Sequence, residues 1–225
     1  MKSAIIVHGH HLQAAEWERV VWGDPAHGVY GRAAAGLREA LRFNASLIIF
    51  GTGASFKDGM PEGEHALALA RRRIVEMPEF AKMGTHAARA WLDARSIVET
   101  TAHDTRTEIE ADARLALAHG CNAIILVSSP VHIMRAHKTA LSLFSHQHEF
   151  KQLLHNLFAV ASDVNYSGTR VDDVVIIEPQ HRPDRPDVPF HLTLRGLWKF
   201  MRRDDLAPAL NKALKDIMDD YEKRL

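Results

Sequence analysis

Residues 123–138 read AIILVSSPVHIMRAHK. Five consecutive apolar residues, Ala123 to Val127, without polar alternation give the pattern of a strand buried on both faces, and they stop at Ser128-Ser129-Pro130. The segment that follows, at about Ile133 to Phe144, has the length and period of a helix. This unit recurs along the chain. Ala4 to Val7, Leu47 to Phe50, Ser96 to Val98, Leu157 to Ala161 and Val174 to Ile177 are further short apolar runs, and helical segments at about Ala33 to Arg42, Gly63 to Met77 and Thr107 to His119 lie between them. Connections of that length suit right-handed crossovers between parallel strands. The sequence therefore predicts an α/β fold, with six strands in a mainly parallel sheet flanked by helices.

The 225 residues carry 28 Lys+Arg against 28 Asp+Glu, and 46% are hydrophobic, which places the chain among ordinary globular proteins long enough to bury a sizeable core. A formal net charge of zero supplies no general pull toward nucleic acid or an anionic membrane, so any anion site must be local. The expected partner is a small anionic or nucleoside ligand, not a nucleic acid. The lone Cys121 excludes an intrachain disulfide framework and a multi-cysteine zinc site, and it fits a reducing, cytoplasmic setting. No stretch approaches the roughly 20 apolar residues that span a bilayer. SAIIV meets His8-Gly9-His10-His11 too soon for an export signal and reads as a first buried strand, so no stable membrane insertion is expected. Four prolines between Pro179 and Pro189 open a last segment that ends in an amphipathic stripe, Leu206, Leu210, Ala213, Leu214, Ile217, Met218 and Tyr221. The expected organisation is an α/β domain over residues 1–178 with a C-terminal cap and helical extension of the same domain over 179–225.

In an open parallel sheet, ligands bind beyond the carboxyl ends of the strands. Here those ends read HGHH, GTGAS, ETTAHDTRTE, SSPVHIMR and EPQHR. Gly51, Thr52, Gly53 and Ser55 can offer backbone N–H groups and hydroxyls to an anion, or form a plain tight turn. Glu64 lies near the next helix start, where it either favours the helix N-terminus or orients a polar group at the site. Asp104 or Thr105 either caps the helix that follows or touches ligand. Ser128, Ser129, His132 and Arg135 form a compact anion-binding kit of hydroxyls, imidazole and guanidinium, set against the plainer alternative that His132 is packed and Arg135 paired. His8 and His10, joined by Glu178 or His181, would make a metal site, a reading that competes with surface and capping roles for the histidines.

The block ILVSSPVHIMRA resembles the hydrophobic-strand, T/S-S-x-x-H-x-x-R-A signature of the YdcF/SanA/ElyC-like proteins, domain-of-unknown-function family 218. The Gly-containing turn after the first strand, GTGAS with Glu64 soon after, and ETTAHDTRTE in place of an E-x-x-S-x-N-T-x-E-N block follow in similar order over about residues 3 to 145. Asp104 stands where that family has Asn, and Thr107-Glu108 replaces its E-N pair. The resemblance implies a Rossmann-like domain of the soluble branch, and it brings S-adenosylmethionine into view as a cofactor because one soluble member is described as binding it.

The functional expectation is a small-molecule enzyme, a hydrolase or group transferase, acting on a phosphorylated or nucleotide-like substrate at the strand-end rim. Residues 51–55, Ser128, Ser129 and Arg135 would hold the anion. His132, His8 or His10 would move a proton, and Glu64 or Glu108 would orient a histidine or a polar substrate group. The alternatives are a non-catalytic S-adenosylmethionine or nucleoside-binding module and a histidine-based metallohydrolase.

Overall fold

The structure, a computed structural model, describes residues 1–169 and Lys212. The expected strand at Val174 to Ile177, the boundary at 178/179, the extension over 179–225 and the candidates Glu178 and His181 lie outside the described residues.

Five of the apolar runs are strands: β1 (Ser3–Val7), β2 (Leu47–Phe50), β3 (Ser96–Val98), β4 (Ala123–Ser128) and β5 (Leu157–Ala161). All neighbouring pairs are parallel, in the order β3-β2-β1-β4-β5. Successive side chains of a strand face opposite sides of the sheet. In β1, Ile5 and Val7 therefore join one core with Ala33, Leu37 and Leu67, while Ala4 and Ile6 join a second with Ile109, Ala113 and Phe144. Both faces are covered, which is why the central strands are continuously apolar. Each fully buried Ile or Leu contributes about 1.5–3 kcal/mol relative to exposure.

The crossovers are α1 (Arg32–Arg42), α2 (Glu62–Arg73), α3 (Thr85–Asp93), α4 (Thr105–Ala118) and α5 (Pro130–His146). The small-residue start of α1, Ala33 to Gly36, is wholly buried and lets the helix lie close on β1: a Cβ on Gly36 would meet Val7 Cγ2 at 2.5 Å. α3 lies outside the predicted helical segments, and it turns Ala88, Trp91 and Leu92 toward the core. Two short hairpins, residues 23–30 and 56–61, decorate the connections before α1 and α2. Among the described residues no helix is long and apolar enough to cross a membrane.

This is a mostly parallel, Rossmann-like α/β sheet. The chain runs outward from β1 through β2 and β3, then returns to the other side of β1 for β4 and β5. That reversal opens a crevice beyond the carboxyl ends of β1 and β4, where the connections leave in opposite directions.

Candidate functional site

A cleft of ≈ 610 Å³ lies at these strand ends, lined by Gly9 to His11 after β1, Thr52 and Ala54 after β2, Glu62 of α2, residues 103–106 and Glu108 at the start of α4, His132, Arg135 and Thr139 of α5, and Tyr166. Four of the strand-end segments singled out in the sequence thus meet in one place.

After β1 the chain makes a turn whose polar groups are tied down. His8 is buried, and its Nδ1 lies 2.8 Å from Glu108 Oε2, while the Gly9 N–H donates to Glu108 Oε1 over 3.1 Å. Glu108 reaches this point because it is on the inner face of α4, whose start is fixed by a capping box: Asp104 accepts from the Arg106 and Thr107 N–H groups, and Thr107 Oγ1 accepts from the Asp104 N–H. Asp104 is the N-cap of α4, and those backbone bonds hold its carboxyl below the usual range. His8 Nε2 is buried without a partner, and its ring meets His132 edge-on with centroids 5.5 Å apart. His10 stacks on Tyr166 at 4.9 Å, and burial, with help from Arg32 and His11, pulls its pKa down to about 4.

In GTGAS three of the five backbone N–H groups are already engaged. The N–H groups of Gly51, Gly53 and Ala54 are spent on Val7 O, Ala102 O and Thr52 Oγ1. The glycines make room instead. A Cβ on Gly51 would lie 2.3 Å from Glu108 Oε1, one on Gly53 would lie 1.8 Å from Thr100 O, and one on Gly9 would lie 1.9 Å from Glu62 Oε1. Glu62 is the carboxylate this loop serves. Thr52 Oγ1 donates to its Oε1 over 3.0 Å, and Ser55 Oγ donates to its Oε2. Each hydroxyl accepts a backbone N–H, from Ala54 and Leu12 respectively, so both hydrogens are directed at the carboxylate. Burial nevertheless lifts the Glu62 pKa above the ordinary carboxylate value, with Glu108 adding to the rise, while the Ser55 and Thr52 hydroxyls and His11 oppose it. Glu64, the acid expected to matter here, is exposed and does not line the cleft. With the helix starting at Glu62, a residue two positions on is turned roughly 200° away.

The serines after β4 also differ from expectation. Ser128 and Ser129 are fully buried and do not reach the cleft. Ser128 Oγ lies 2.8 Å from His132 Nδ1, and Thr105 Oγ1 lies 3.2 Å from His132 Nε2, so the imidazole is oriented from both sides. Burial first, then the neighbouring His8, Arg32, Arg135 and His10, pushes the His132 pKa down to about 2, which favours the neutral ring. Ser129 Oγ accepts from Arg32 Nε over 2.9 Å. Arg32, at the first turn of α1, is buried and also donates to His8 O, to Gly9 O and, over 2.6 Å, to Tyr166 OH. It binds the β1 turn, the β4 end and the segment after β5 into one framework. Asn165 belongs to that segment and accepts the Val131 N–H of α5 over 3.2 Å.

Sequence reading missed Glu62, Arg32 and Tyr166. Nothing local in GRAAAG marks Arg32 as buried, and of the two acids in PEGEH only the helix phase selects the one that faces the cleft. Among the described residues no group of three or more His, Cys, Asp or Glu side chains is arranged to hold a metal.

Below the site, one turn further along α4 than Glu108, Asp112 is fully buried and neither carboxylate oxygen has a partner. Burial, then the charges of Glu108 and Glu99, raises its pKa well above the ordinary value. The folded state therefore holds this proton more tightly than the unfolded chain. Stability from it is complete below the unfolded value of about 3.9 and is lost, at up to about 1.4 kcal/mol per pH unit, as pH rises toward and through the folded value. Asp112→Asn carries no such term, so urea unfolding midpoints of variant and wild type should diverge in the variant's favour from pH 4 to 7. A constant gap would show that Asp112 does not titrate this way.

No protein-family model matches the chain, and no curated protein or solved structure does so either. The functional reading therefore rests on the geometry of the cleft.

Proposed function

We propose that the chain is a small-molecule hydrolase or group transferase that acts on a phosphorylated or nucleotide-like substrate in this cleft, and that it belongs with the YdcF/SanA/ElyC-like proteins. The observation that carries the reading is the pairing, in one cleft, of a carboxylate held for proton acceptance, Glu62, with an imidazole kept neutral and oriented by two hydroxyls, His132. Titratable groups pushed away from their ordinary values in a concave site are the mark of acid–base work. Arg135, exposed on the second turn of α5, supplies charge for the anion.

In this scheme Glu62 takes the proton of an attacking water or acceptor hydroxyl as its oxygen bonds to phosphorus. The bond from phosphorus to the leaving oxygen breaks, and that oxygen receives a proton from His132. An anion beside His132 favours the imidazolium, so the ring takes up a proton from solvent as substrate binds, and Glu62 returns its proton to solvent after the step. Glu108 and His8 fix the turn that shapes the pocket floor. The stacked His10–Tyr166 pair gives the cleft an aromatic wall, and this favours a nucleoside-bearing ligand for the second reading, a binding module without turnover.

Native mass spectrometry of freshly purified protein, searching for a co-purifying ligand, followed by assay of that ligand with wild type and His132→Ala, separates the two. The enzyme reading predicts that wild type converts the ligand and that His132→Ala keeps affinity while losing about 10²–10⁴ in turnover. Ligand returned unchanged by the wild type would favour the binding module.

A further inference from the structure

Twelve arginines fall within the described residues, and ten of them are committed. Arg19, Arg38, Arg42, Arg71, Arg72, Arg73 and Arg114 pair with carboxylates. Arg89 and Arg95 donate to backbone carbonyls, and Arg32 is buried in the framework described above. The two that remain, Arg106 and Arg135, make no side-chain hydrogen bond or ion pair among the described residues. Both are exposed, and both line the same cleft. They come from different helices, Arg106 from the first turn of α4 and Arg135 from the second turn of α5.

Nearby acids do not satisfy them. Asp104 spends its Oδ1 on the Arg106 and Thr107 N–H groups. Glu108 is engaged by His8 and Gly9, and Glu62 by Thr52 and Ser55. Elsewhere in the described fold an exposed arginine finds a carboxylate or a carbonyl. Leaving two without one at the mouth of one cleft, on separate helices, suits a ligand with two anionic groups better than a single ion, since a guanidinium matches a phosphate oxygen pair and each helix would contribute one. We infer that the substrate carries two linked phosphoryl groups, one held by Arg106 and the other by Arg135. This deepens, and rests on, the reading of the cleft as a phosphate site.

The test is calorimetric binding of inorganic pyrophosphate and of inorganic phosphate to the full chain at low salt. Arg106→Ala and Arg135→Ala are the test variants, and Arg72→Ala, which removes an exposed arginine outside the cleft, is the control for net charge. Wild type should bind pyrophosphate at least about tenfold tighter than phosphate. Each cleft variant should weaken pyrophosphate by roughly 10- to 150-fold, the loss of one charged hydrogen-bonding contact, and Arg72→Ala should leave it unchanged. Phosphate bound as tightly as pyrophosphate, or pyrophosphate binding that Arg72→Ala weakens as much as the cleft variants do, overturns the two-phosphoryl inference and leaves the phosphate site standing. Binding of neither anion overturns both. Arg106 and Arg135 are exposed and without side-chain partners among the described residues, and exposed Arg72 gives up one solvent-facing contact to Glu18, so circular dichroism should show folded proteins in every case.

Discussion

Glu62→Gln is expected to lower turnover about 10²- to 10⁴-fold, the range over which one positioned proton-transfer group acts. The carboxylate is held by Thr52 and Ser55 hydroxyls whose own acceptor sites face backbone N–H groups, and it fits only because residue 9 is glycine. A base works when deprotonated, so wild-type rate should rise with pH through the raised Glu62 pKa. The residual activity of Glu62→Gln should lack that limb, and Glu62→Asp, with its carboxylate drawn back by one methylene, should keep the limb at reduced rate. A pH–rate profile of the three proteins checks this. Unchanged rate and profile in a folded Gln variant would remove Glu62 from the chemistry.

Arg32→Met should be the most destabilising change at the site. It strips a charged donor from Ser129 Oγ, two backbone carbonyls and Tyr166 OH in the buried framework. Charged hydrogen bonds contribute about 1.5–3 kcal/mol each and do not add, so a net loss of about 2–4 kcal/mol is expected. That corresponds to roughly 5–15 °C in Tm for a chain of this size. Arg32→Lys should rescue little, because an ammonium cannot reproduce the planar fork that reaches three elements at once. Thermal melts of the three proteins decide it, and a Met variant as stable as wild type would show that the framework does not depend on this guanidinium.

The sheet was legible because β1, β2 and β4 are buried on both faces, and a strand so placed must be apolar at every position. Strand order was not legible. Nothing in the runs themselves says that β1 is central, and the crevice follows from that placement. At the site, His132 and Arg135 could be read because they follow a strand in helical register. Ser128 and Ser129 could not, since the same hydroxyls serve equally to bind a ligand or to hold His132 and Arg32, and only burial tells the two apart. Glu62 against Glu64 was a matter of where α2 begins, because two positions on a helix turn a side chain roughly 200° away from the cleft. Arg32 lies in a run of small residues that signals close packing on β1, with no local pattern announcing that its charge is buried.

Phosphoryl chemistry in the cleft beyond β1 and β4 is tested most directly by ³¹P NMR of the full chain incubated with a panel of nucleoside mono- and diphosphates. Wild type should generate a new phosphorus resonance from at least one of them, and Glu62→Gln, folded and at equal concentration, should do so at least about 100-fold more slowly. Resonances unchanged by wild type across the panel, or conversion that proceeds equally in the Gln variant, would contradict it.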